Sequence, residues 1–162
     1  MSTTGGFTSS GLLQEELLLA LPALDVADAI EIGEIAKSFG TQRGLPIAVE
    51  VKVGDWAVYH ASLPGSTPEN DWWIGRKARV VKLKKHSTMY ERVLAEEQGI
   101  DWHKENNLLD ETHAIHGGGL PLITKEDGCV GVLIISGLPQ VDDHLLGVEV
   151  LTEFLARKGE QL

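Results

Sequence analysis

The chain has 162 residues, the usual size of one domain, and is long enough to bury a core without disulfide or metal staples. At 43% hydrophobic and 23% charged residues it has globular composition, and its single cysteine excludes a disulfide framework or a multi-cysteine zinc site and fits a reducing compartment. Twenty-four acidic against fourteen basic residues give a formal charge of -10, which excludes a dedicated nucleic-acid binder, because such affinity comes from neutralising phosphates.

Residues 1–11 are rich in Ser, Thr and Gly and carry no basic residue and no export signal, so residues 1–10 are read as a flexible start to a single domain over 1–162. No apolar run approaches the roughly 18 residues of a membrane span, and the expected location is cytoplasmic, with no membrane partner. Ser10 is a cap for a first helix with Leu13, Leu17 and Leu21 on one face, ended by Pro22. Asp25 caps a second helix, with Ala29, Ile32, Ala36 and Phe39 as its apolar stripe and Gly40 as its stop.

The period then changes. Ile47, Val49, Val51 and Val53 alternate with Ala48, Glu50 and Lys52, and after a Gly54-Asp55 turn a returning strand runs over 56–63. Thr67 with Pro68 at the first helical position starts a third helix reaching about Lys85, and a fourth spans 88–98. Residues 99–112 read as polar and irregular. A Gly-rich loop at 116–119 leads to a hairpin over 120–124 and 129–136, and Pro139 opens a last helix that is apolar on more than one side. Such a helix needs two partners: the sheet, and a second subunit.

Several side chains carry chemistry in this pattern, each beside a plainer reading. His113, His116, Asp142, Asp143 and His144 have the types that suit a divalent transition metal, with His116 and His144 as the ligand pair. Acidic residues at 142 and 143 are equally what a helix N-terminus favours. Gly117 and Gly118 expose backbone N–H groups to an anion, or simply make a sharp turn. No nucleophile elbow accompanies that loop, which excludes standard esterase chemistry. His60 lies on a strand among apolar neighbours. Trp72 and Trp73 form an aromatic wall or a subunit contact, and Cys129 opens the most apolar strand as a small hydrophobe. Arg76, Lys77, Arg79, Lys82, Lys84 and Lys85 make either a solvated basic face or a site for carboxylates.

Three segments together, residues 60–77 (HASLPGSTPENDWWIGRK), 116–121 (HGGGLP) and 136–144 (SGLPQVDDH), resemble the haem-degrading-domain proteins. These are relatives of an extracellular haem-binding sensor and of the C-terminal part of an adenosyltransferase-associated protein, and the likeness is to their short, single-domain bacterial and fungal branch. The resemblance runs in order from Leu12 to Leu155. It implies a profilin-like α/β (α+β) fold with a five-stranded antiparallel sheet flanked by helices. It also implies a homo-oligomer built from dimers into rings of eight or ten.

The expected function is binding of haem or a similar anionic planar small molecule, with degradation by oxygen and a reductant as its extension. If the three bends converge, Thr67, Asn70, His116, Ser136 and His144 line a pocket and Arg76 or Lys77 holds an anionic group. His60, His116 or His144 would supply an axial nitrogen, and Trp72 or Trp73 would stack on the macrocycle. Two alternatives stay open: a metal- or acid/base-dependent enzyme on a small metabolite using His116, Asp142 and His144, and a non-catalytic assembly or adaptor module.

Overall fold

In the computed structural model, which describes residues 4–160, the two apolar alternations fold into antiparallel hairpins lying side by side. β1 (Ala48–Val53) and β2 (Trp56–Ser62) form one, β3 (Gly119–Thr124) and β4 (Gly128–Ser136) the other. β1 pairs antiparallel with β4, Val49 opposite Ile135 and Val51 opposite Leu133, which gives the order β2-β1-β4-β3. The helices are α1 (Ser9–Leu18), α2 (Val26–Arg43), α3 (Pro68–Lys84), α4 (Thr88–Gln98), α5 (Trp102–Asn106) and α6 (Gln140–Glu160).

Side chains alternate across a strand, so each strand feeds two layers. Val49, Val51, Leu133 and Ile135 pack with Ile32, Ile35 and Ala36 of α2 and with Val150, Leu151 and Phe154 of α6. Ala48, Val132 and Ile134 pack on the opposite face with Ile74, Ala78 and Val81 of α3. Helices on both faces explain why β4 is apolar almost throughout. At about 25 cal/mol per Å² of apolar area, each fully buried Val, Ile or Phe contributes about 1.5–3 kcal/mol.

The sheet corrects the expected five strands to four. The fifth position beside β3 is reduced to one parallel bridge between Leu21 and Thr124, with the Leu21 N–H donating to the Ile123 carbonyl at 2.7 Å. The chain then turns at once through Pro22 toward the Asp25 cap of α2, so pairing stops after one residue.

Other differences have similar local causes. Gly40 does not stop α2, which runs on to Arg43 and ends at Gly44 in the left-handed conformation (φ 63°). A Cβ on Gly40 would lie 2.5 Å from Leu63 Cδ1, so this glycine serves the close approach of α2 to the first hairpin. Residues 99–112 contain α5, anchored by buried Trp102, whose indole N–H donates to Glu91 at 3.0 Å. α1 turns Leu12 and Glu16 inward rather than Leu13 and Leu17, leaving Leu17 and Leu18 at 77% and 80% exposure. The buried Glu16 carboxylate sets that rotation, meeting His86 Nδ1 at 2.7 Å and accepting the Ser87 N–H at 2.8 Å.

The flexible start expected over 1–10 falls partly outside the described residues, at 1–3. From Thr4, which is buried, the chain is seated: Thr8 caps α1 and Phe7 packs edge-on against His144, ring centres 5.2 Å apart. The two apolar sides of α6 meet the sheet and α2 of the same chain. Among the described residues no helix is long and apolar enough to cross a membrane.

Candidate functional site

The site begins at the N-terminus of α3. Asn70 Oδ1 accepts the Thr67 N–H at 2.8 Å, and its Nδ2 reaches Ser136 Oγ at 3.3 Å, stitching the first turn of α3 to the end of β4. Asn70, Trp73 and Lys77 follow at i, i+3 and i+7, one face of the helix. Beyond Ser136 the chain turns through Gly137 and Leu138 into α6, and the Leu138 N–H donates to Asp143 Oδ1 at 3.0 Å. Asp143 Oδ2 meets Lys77 Nζ at 3.2 Å, and the same nitrogen donates to the Ile135 carbonyl at 3.0 Å. From the third segment His116 sets its ring edge-on to Trp73, centres 4.7 Å apart.

These groups enclose a cavity of about 300 Å³, lined also by Glu69, Gly137, Leu138 and Gln140. That volume lies at the lower end of the range for small-molecule sites. All three sequence segments contribute to its wall.

Burial dominates the electrostatics. It drives the Lys77 pKa down, opposed by the Asp143 carboxylate beside it. It drives Asp143 up to about 6, opposed by Lys77 and by the backbone N–H groups of Leu138 and Gly137. Burial thus works against the charged form of both partners, and their pairing opposes it. His116 is pushed down to about 4 by burial and by the cations of Arg92 and Lys77, so its imidazole is neutral throughout the physiological range. Its Nδ1 is buried with no hydrogen-bond partner.

The remaining predicted residues lie elsewhere. His60 sits on the exposed side of β2, bonded to Glu50 and Ser62 at 3.2 Å and beside Asp71 at 3.3 Å. His144 is buried but turns toward α1, its Nε2 meeting Glu15 at 2.7 Å. Asp142 lines a separate depression with Arg43, Leu145 and Glu149. His116, Asp142 and His144 therefore do not share the cavity, and among the described residues no three His, Cys, Asp or Glu side chains gather as metal ligands. Thr67 serves as the α3 cap.

Arg76 does not face the cavity either. Its guanidinium stacks over Trp72 and Trp73 at 4.0 and 4.3 Å and pairs with Asp110 at 2.9 Å. The Gly117 and Gly119 amides are taken by Gln140 Oε1 and Thr88 Oγ1, so the glycine loop offers little to an anion. Its tightness has another purpose. Gly118 has φ 125°, and a Cβ there would lie 2.3 Å from the Ile135 carbonyl oxygen and 2.7 Å from Lys77 Nζ.

Asp143 is the cavity residue that the motif reading undervalued. The signal was available: Asp143, Leu146, Val150 and Phe154 repeat at 3, 4 and 4 residues, which is the buried stripe of α6. Lys77 likewise lies on the stripe of Ile74, Ala78 and Val81 rather than on a solvated basic face.

A four-stranded antiparallel sheet under helices, with a half-polar cavity beside it, makes this an α+β domain. Residues 24–152 match the haem-degrading HbpS-like protein family, and the chain belongs to it. It is 38% identical over 143 residues to a UPF0303 protein of Streptomyces avermitilis, covering 88% of each chain. Among solved structures it resembles the Ybr137w protein, with TM-score 0.82, 24% identity and coverage of 91% of this chain and 88% of that one. It also resembles the protein in a PduOC–haem complex, with TM-score 0.61, 19% identity and coverage of 79% and 94%. At these identities the two structures speak for the fold alone.

Proposed function

We propose that the protein binds haem or a related planar tetrapyrrole at the 116/70–77/136–143 cavity, with His116 as the imidazole that faces the iron. The carrying observation is His116 itself: neutral because burial holds its pKa at about 4, with an unpartnered ring nitrogen, beside the Trp73 indole. A neutral imidazole is what haem iron takes as an axial ligand. The family match and the haem complex of a structural neighbour support the reading.

The residues fit the iron and the ring better than the carboxylates of such a ligand. Arg76 and Lys77, the expected propionate partners, are already paired with Asp110 and Asp143. A cavity of 300 Å³ receives one edge of a macrocycle, leaving the acidic groups in solvent at the open mouth. When bound, haem would supply iron-centred one-electron and oxygen chemistry; this chain's residues bind, orient and shield it.

Hemin titration tests the proposal. A saturable Soret shift is expected, weakened at least tenfold by His116→Ala and unchanged by His60→Ala or His144→Ala. Equal binding by His116→Ala would remove His116 from the reading. Degradation is the further step, read as loss of the Soret band with ascorbate and oxygen.

Assembly into a homo-oligomer has its own supporting observation. Leu17, Leu18 and Trp56 are largely exposed, at 77%, 80% and 62%, and burying them between copies would remove apolar area from water. Light scattering at several concentrations reads the subunit number.

A further inference from the structure

We propose that Lys77 is a carbonyl-trapping amine: the cavity accepts a small neutral aldehyde or ketone, and Lys77 condenses with it to an imine. The proposal goes beyond haem binding and stands apart from it, since hemin titration interrogates His116 and trapping interrogates Lys77.

The first observation is the inventory at Nζ. Lys77 is one of the residues lining the cavity, although it is only 2% exposed. The hydrogen-bond partners of Nζ are the Ile135 carbonyl and Asp143 Oδ2, and the Trp73 ring centre lies 5.9 Å away. An ammonium carries three N–H donors, whereas a neutral amine carries two and a lone pair. These two acceptors hold two of the ammonium's three N–H groups, and passing the proton shared with Asp143 to the carboxylate yields the amine with its lone pair.

The second observation is charge. Lys77 is neutralised by Asp143, His116 is neutral, and Glu69 adds a negative charge at the rim. No uncompensated cation faces the cavity, so its chemistry favours an uncharged polar group over an anion. Ser136 Oγ and Asn70 Nδ2, bonded to one another on the same wall, are the groups to meet a carbonyl oxygen. Gly118 presses to within contact of Nζ, and any larger residue there would push the amine from its place. Burial lowers the Lys77 pKa and raises that of Asp143, both in the direction of proton transfer from the ammonium to the carboxylate.

The step balances without any oxidant or reductant. The amine lone pair forms the C–N bond while the carbonyl π pair moves to oxygen. The proton leaving nitrogen passes through Asp143 to that oxygen. Water then departs as the nitrogen's second proton is lost, giving the C=N bond.

The experiment treats the whole protein with propionaldehyde and cyanoborohydride at pH 7, which reduces an imine to a stable secondary amine, and maps the adducts by peptide mass spectrometry. Lys77 is expected to label about tenfold faster than exposed Lys37, and Asp143→Asn is expected to slow Lys77 while leaving Lys37 unchanged. A buried lysine with a purely structural role labels slowest of all. Labelling of Lys77 at or below the rate of Lys37 in the wild-type protein overturns the proposal, whatever the stability of the variant.

Discussion

Replacing either member of the Lys77–Asp143 pair should destabilise the protein with opposite dependence on pH. Lys77→Met leaves the Asp143 carboxyl buried without a counter-charge, so the native state holds it neutral. An unfolded carboxyl titrates near 3.8, and keeping it protonated at pH 7 costs about 4.4 kcal/mol at about 1.36 kcal/mol per unit. The native variant then binds one proton more than the unfolded chain, so stability rises as pH falls and the penalty vanishes below about 3.8. Asp143→Asn leaves Lys77 buried and unpaired. Holding it neutral at pH 7, against an ordinary value of 10.5, costs about 4.8 kcal/mol. Here the native state binds one proton fewer, so stability rises with pH and the penalty fades toward 10.5. Both figures match the roughly 3–5 kcal/mol lost when one partner of a buried ion pair is removed. Urea unfolding at pH 5, 7 and 9, with unchanged m-values, reads the two slopes. Parallel profiles for the two variants would refute the assignment of a charged, mutually dependent pair.

The glycine loop yields a second expectation. Gly118→Ala should cost about 3 kcal/mol, or roughly 6–12 °C in Tm, from positive-φ strain plus a Cβ 2.3 Å from the Ile135 oxygen; a melting point within 2 °C of wild type would contradict it. Hemin affinity should be constant from pH 8 to about 5 and fall as pH passes through about 4, where His116 gains its proton. A midpoint near the ordinary histidine value of 6.5 would point to a different ligand.

The fold was legible wherever periodicity carried it. Alternating Val49, Val51 and Val53, the apolar run into Ser136 and the Thr67-Pro68 start located both hairpins and α3, because burial on one face writes itself into spacing. The fifth strand was not legible against the family pattern, since a single bridge at Leu21 depends on where Pro22 sends the chain. The site was half legible. That Asn70, Trp73, His116 and Ser136 share a wall follows from three bends meeting, and the motifs contained those bends. The roles of the charged residues were harder. Arg76 and Lys77 read either as a solvated face or as an anion site, because charge is counted as exposed or ligand-facing by default, yet both sit at 2% exposure or less, one over two indoles and one against a carboxylate. His60, Asp142 and His144 have suitable chemistry but point away, and direction is set by side-chain partners such as Glu50 and Glu15 that lie far off in sequence.

The attachment of α1 has a consequence for how the molecule breathes. Leu12 is its one apolar anchor; the rest of its hold is the Glu16 tie to His86 and Ser87, Glu15 against His144, and Ser9 against Glu97. Contacts of that kind weaken in salt while sheet packing does not. Amide hydrogens of residues 9–18 should therefore exchange with solvent well before those of β4.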